Sequence, residues 1–101
     1  MKKSSEFGIK PGDFIKWMYV SNNKFVVEDE ELWSMIEDCW VPIGSKLIHL
    51  CINVDINNDV VTWLNEKGCF RAQMISQSNN YNGVFKPWTR RHGRSAIPCV
   101  F

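Results

Sequence analysis

Residues 46–75 carry three short runs of alternating side chains separated by two tight polar turns, and such a pattern forces the chain to run back and forth as β-strands. In Lys46–Val54, Ile48, Leu50, Ile52 and Val54 alternate with less apolar residues, so one face of the run is wholly aliphatic. Asp55-Ile56-Asn57-Asn58-Asp59 then makes a turn, because Asn and Asp tolerate left-handed backbone and cap it with their own side chains. Val60–Leu64 runs back. Asn65-Glu66-Lys67-Gly68 is the second turn, with Gly where positive φ is easiest, and Cys69–Ile75 makes the third strand with Phe70, Ala72 and Met74 on one face.

Upstream, Pro11-Gly12 marks a turn, and residues 1–10 before and into it form a charged, patternless arm. Asp13–Val20 is rich in aromatic and β-branched residues, with Ile15, Trp17 and Tyr19 on one face, and is the first strand. Between it and the meander, residues 28–40 change period. Leu32, Ile36, Cys39 and Trp40 recur at helical spacing, acids crowd the start, and Pro42 follows the end. The spacing predicts one short amphipathic helix inserted in the first long loop, with Trp33 and Trp40 two turns apart on nearly one face. Residues 76–83 are a polar loop, and Val84–Phe101 has room for a short strand at either end. No internal repeat is present.

The chain's 101 residues suit a single domain, spanning residues 11–101, and a 45% hydrophobic, 23% charged composition is that of a folded globule. Cys39, Cys51, Cys69 and Cys99 lack the close spacing of zinc or redox motifs and read as buried free thiols. No apolar leader follows Met1-Lys2-Lys3, and the longest apolar-rich run is too short to span a bilayer, so the expectation is a cytoplasmic protein without membrane contact.

No motif calls for a catalytic residue, a cofactor, a metal or a small-molecule substrate. His49 and Cys51 share a strand face and could ligate zinc or pair as base and thiolate, but no further ligands are evident; a core cysteine beside a surface histidine is the simpler reading. Glu28, Asp29, Glu30 and Glu31 lack the spacing of a calcium loop and read as a solvated helix start, and Glu37-Asp38 as more of the same surface.

Charge is divided along the chain. Residues 1–70 hold seven Lys or Arg against eleven Asp or Glu, whereas residues 71–101 hold five bases and no acid. Lys86, Trp88, Arg90, Arg91 and Arg94, with His92 among them, could follow a phosphate backbone while the indole stacks on a base. The competing reading has this basic segment neutralise the acidic segment, of its own chain or of another copy. Trp33, Trp40, Glu30 and Glu31 are the candidate contacts for a protein partner, since Trp is enriched where interfaces concentrate their energy.

A strand opening on Gly12-Asp13-x-Ile15-x-Trp17, a long first loop, three strands joined by tight turns, and Trp63-Leu64-Asn65-Glu66-Lys67-Gly68 closing the third together resemble the SH3-like small β-barrels of tailed-bacteriophage accessory proteins. The resemblance covers about residues 11–76. It implies a mainly β fold of about five strands and a non-enzymatic protein-binding or assembly module, a phage accessory or structural protein of the host cytoplasm or the virion, with a protein partner or homo-oligomer. Nucleic-acid binding through the basic C-terminal segment is the alternative. The acidic insertion and residues 77–101 exceed what such a barrel needs, and a specific role would be placed there.

Overall fold

The computed structural model describes residues 9–21, 24–26, 29–73, 75–76, 85–86, 88–91 and 96–100. The chain is mainly β. Its strands are β1 (Phe14–Ser21), β2 (Lys24–Val26), β3 (Glu31–Ser34), β4 (Cys39–Pro42), β5 (His49–Asp55), β6 (Val60–Asn65), β7 (Gly68–Gln73), β8 (Ile75–Ser76), β9 (Phe85–Lys86) and β10 (Ile97–Val100). The main sheet runs β10-β1-β5-β6-β7, all neighbours antiparallel, with β2 folded back on β1. β8 and β9 form a separate pair. Among the described residues β7 and β10 do not pair, so the sheet stays open and is not closed into a barrel.

The meander follows its turn chemistry. Asp55 Oδ1 accepts the Asn58 N–H at 3.2 Å and its Oδ2 accepts the Asn58 side-chain amide at 2.9 Å, while Asp59 takes the left-handed backbone at φ 57°. Those Asn58 bonds hold the Asp55 carboxyl below its ordinary pKa. Gly68 closes the second turn at φ 146°, opposite Asn65.

The core collects on one side of this sheet. Ile15 and Trp17 from β1, Cys51 from β5, Val61 and Trp63 from β6 and Ala72 from β7 are buried, joined by Ile9, Leu32, Val41, Ile43 and Ala96. Trp17 and Trp63 lie with ring centroids 4.8 Å apart, and Trp63 meets Phe70 at 6.2 Å. Each buried side chain of this size contributes about 1.5–3 kcal/mol. Ile9 belongs to this core although the sequence assigns it to the arm; residues 1–8 lie outside the described residues.

Besides the expected closed barrel of about five strands, which among the described residues is an open sheet within a set of ten strands, two expectations are corrected. The first is the helix over 28–40: from residue 29 onward the chain makes a β-hairpin, with β3 and β4 paired Glu31↔Pro42, Leu32↔Val41, Trp33↔Trp40 and Ser34↔Cys39. A spacing of seven places two residues on one helix face, but it equally places them opposite each other across a hairpin with a four-residue loop. Met35-Ile36-Glu37-Asp38 is that loop, and Asp38 adopts φ 53°. Tertiary burial decides between the two periods, because the hairpin sends both Leu32 and Val41 into the core. The hairpin's neck is tight: a Cβ at Gly44 would lie 3.3 Å from the Asp29 Cα.

The second correction concerns β5. His49, read as a surface residue, is buried, and so is Cys51, while Ile48, Leu50 and Ile52 of the aliphatic face point outward. The pairing with β6 shifts register between Cys51 and Asn53, and Ile52 occupies the resulting bulge.

Candidate functional site

The hairpin brings together most of the candidate residues. A segment from the basic part of the chain lies along the outer edge of β3: Trp33 N–H donates to the Trp88 carbonyl at 2.7 Å, Leu32 bridges Thr89, and Arg90 N–H donates to the Glu31 carbonyl at 2.8 Å. Side chains reinforce the backbone. Arg90 Nη1 forms an ion pair with Glu31 Oε2, and Arg91 Nε lies 3.7 Å from Glu30 Oε1 while the Arg91 backbone N–H donates to Glu30 Oε2 at 2.9 Å.

These two pairs differ in weight. The Arg91 side chain is 68% exposed but that of Glu30 only 1%, so the buried carboxylate relies on the backbone of residue 91 for a charge-assisted bond worth about 1.5–3 kcal/mol. The Arg90–Glu31 pair sits in water on both sides, where such pairs contribute about 0–1 kcal/mol. An open groove of about 380 Å³ runs between Asp29, Glu30, Glu31, Arg90 and Arg91.

On the outward face of the hairpin, which also carries Glu31, Trp33 and Trp40 are direct cross-strand partners, with ring centroids 5.2 Å apart and planes tilted by 57°. The Arg90 guanidinium carbon lies 5.7 Å from the centre of the Trp40 ring. Trp40 and Trp88 keep part of their surface in water. The hairpin loop is fastened to the main sheet by Ser34, whose hydroxyl donates to the Arg71 carbonyl at 2.6 Å and accepts the Glu37 N–H at 3.3 Å, and by an Arg71–Glu37 contact of 3.7 Å. Trp33, Trp40, Glu30, Glu31, Trp88, Arg90 and Arg91 are thus one cluster. Lys86 sits on β9, where only its backbone is described, and Arg94, His92 and Glu28 lie outside the described residues.

His49 is held as a neutral ring. Asn65 Oδ1 accepts the Lys67 N–H at 2.7 Å and Asn65 Nδ2 donates to the Pro42 carbonyl at 3.1 Å, which fixes the amide orientation. That same Nδ2, 3.3 Å from His49 Nδ1, can only donate, so Nδ1 accepts and the ring proton sits on Nε2. Burial pushes the imidazole pKa down, against a smaller upward pull from the Ile43 and Gly44 carbonyls. The cavity beside Trp17 and His49 is about 60 Å³, room for a water or two and far below the several hundred Å³ of an organic-ligand site.

Of the cysteines, only Cys51 is buried; Cys39 and Cys99 are half-buried and Cys69 exposed. Burial pushes the Cys39, Cys51 and Cys99 thiols up, which keeps them protonated and poor nucleophiles at neutral pH. Among the described residues no three His, Cys, Asp or Glu side chains converge on a metal position, and no helix is long and apolar enough to cross a membrane.

One surface escapes a reading by residue type. On the outer face of the main sheet Phe14, Leu50, Leu64 and Cys69 form a row across four strands, each the register partner of the next. Ile48, just before β5, and Ile52 within it flank Leu50. Phe14 is 52% exposed, Ile48 65%, and Ile52 and Leu64 42% each. Strict alternation in residues 46–54 was the available signal, but it separates two faces without saying which points inward.

No protein-family model, curated protein or solved structure matches the chain.

Proposed function

We propose that the chain is a non-enzymatic protein-binding or assembly module whose contact surface is the outer face of the main sheet. The observation that carries this is the contiguous apolar row Phe14, Leu50 and Leu64 with Ile48 and Ile52 beside it. Taking about 200 Å² for a fully exposed large apolar side chain, these residues leave roughly 400 Å² of apolar surface in water, the size of patch that on soluble proteins marks an interaction site. The hairpin cluster makes a weaker contact surface, because its charges are already matched within the chain.

The strand order β10-β1-β5-β6-β7, with the last strand beside the first and a hairpin in the loop between β1 and β5, supports an SH3-like small-barrel ancestry with an unclosed seam. A phage accessory role in host cytoplasm or virion follows from that resemblance. Nucleic-acid binding through Lys86, Trp88, Arg90, Arg91 and Arg94 is the less favoured reading, since Glu31 and Glu30 neutralise two of the bases it needs. Retention of a random oligonucleotide at low salt that disappears in an Arg90→Ala, Arg91→Ala variant would reverse that preference.

The experiment that tests the main reading places a photo-crosslinking amino acid at Leu64, at Trp40 and at Asn57 in the turn. A discrete protein adduct from Leu64, with none from Asn57, is the expected result. Irradiation that yields no adduct from Leu64 overturns it, and adducts from Trp40 alone transfer the function to the hairpin.

A further inference from the structure

The outer sheet face is self-complementary, and from this we propose that its occupant is a second copy of the chain: a symmetric dimer packed face to face, with the twofold axis running along the strands between β5 and β6. The proposal rests on the protein-binding reading above and names its partner.

The register sets the geometry. Phe14, Leu50, Leu64 and Cys69 form one row, with β5 and β6 in its middle. A twofold axis between those two strands exchanges the inner pair and the outer pair. Leu50 of one copy then lies over Leu64 of the other, and Phe14 lies over the small, exposed Cys69. Bulky residues meet smaller ones and aliphatic meets aliphatic, as two stacked sheets require across their spacing of about 10 Å.

Charge follows the same symmetry. Lys46 and Glu66 lie at the same end of the sheet, Lys46 leading into β5 and Glu66 leading out of β6, and both line an open groove of about 390 Å³ with Ile48, Leu50, Leu64 and Asn65. The rotation that exchanges β5 with β6 brings Lys46 of one copy to Glu66 of the other, twice per dimer. A patch flanked by a single sign of charge would need a different protein of opposite sign; this one carries its own complement.

The area fits as well. One side of a standard interface buries about 800 Å², a little over half of it apolar, which is close to the roughly 400 Å² of apolar surface present here. The centre of the row holds no polar side chain that docking would leave unpaired, the composition of a homodimer interface.

Sedimentation equilibrium and native mass measurement on the purified chain test the proposal, with a mass of twice 11.8 kDa expected. Leu64→Glu, at an outward position that keeps the fold by circular dichroism, is expected to raise the dissociation constant about a hundredfold or more, because it buries a charge at the centre of the contact. Lys46→Glu and Glu66→Lys should each weaken the dimer about fivefold, and combining them in one chain should restore it. A dimer indifferent to Leu64→Glu, or a double variant weaker than either single one, overturns the proposed contact. Should the wild type remain monomeric up to about 1 mM while the Leu64 photo-crosslinker captures a different protein, the second copy is wrong and the protein-binding reading stands. A monomer that yields no adduct removes both.

Discussion

The hairpin cluster and the outer sheet face are opposites in how they are satisfied. Around β3 the conspicuous groups, two Trp, two acids and two Arg, are turned on one another through backbone pairing, ion pairs and ring contacts. On the outer face Phe14, Ile48, Ile52 and Leu64 are exposed and Leu50 is half-buried among the described residues. Rarity and charge in a sequence therefore point to where a chain invests its internal contacts, while the surface left for a partner is made of residues that would pass for core.

That contrast can be broken from the hairpin side. Leu32 is fully buried where the hairpin meets the sheet, so Leu32→Ala should cost about 2–5 kcal/mol in urea unfolding. Leu64→Ala, at a strand position of similar shape but outward, should change the stability of the monomer by less than about 1 kcal/mol. Equal losses at the two sites would mean that the outer face is covered within the chain.

Glu30→Ala comes next. It strips the Arg91 backbone N–H of its acceptor and should cost about 1–3 kcal/mol, with faster amide hydrogen exchange at Arg91 and at Trp33, whose N–H bonds residue 88 of the same segment. Trp33→Ala and Trp40→Ala each remove one ring of the cross-strand pair; a double-mutant cycle should return a coupling of about 0.5–1.5 kcal/mol. Arg90→Ala should have the smallest effect, below about 1 kcal/mol and smaller still in high salt, since its partner is solvated. If Arg90→Ala were instead more damaging than Glu30→Ala, the ranking of the buried contact above the exposed one would be inverted.

Much of the main sheet was legible. The runs that became β5, β6 and β7 alternate with period two, and Asp55, Asn58, Asp59 and Gly68 each have a chemical reason to turn the chain. The hairpin was not, because a spacing of seven between Trp33 and Trp40 satisfies a helix and a four-residue hairpin loop alike, and only the burial of Leu32 and Val41 against the sheet separates them. The orientation of β5 was hidden because alternation separates two faces without saying which turns inward; His49 and Cys51 lie inside with Trp17 and Trp63, and Asn65 of β6 meets the His49 ring there. The pairing of the acidic segment with the basic one was open to charge reasoning, which offered its own chain or another copy; the partners Glu30–Arg91 and Glu31–Arg90 are set by the register of residues 88–91 on β3.

The bond from the Arg91 backbone to Glu30 spans 61 residues, and β1 takes its outer neighbour from β10, more than 75 positions away by register. Contacts so distant in the chain carry a loop-closure cost that is met before they return anything, which slows folding. The meander can zip from its turns within a local stretch, whereas the Glu30 carboxylate acquires its backbone donor only once residue 91 has arrived. A ribosome-bound chain halted short of that point would hold a sheet with β1 open at one side and a hairpin whose acid is still wet, and the downstream segment acts as the latch that commits both to their final positions.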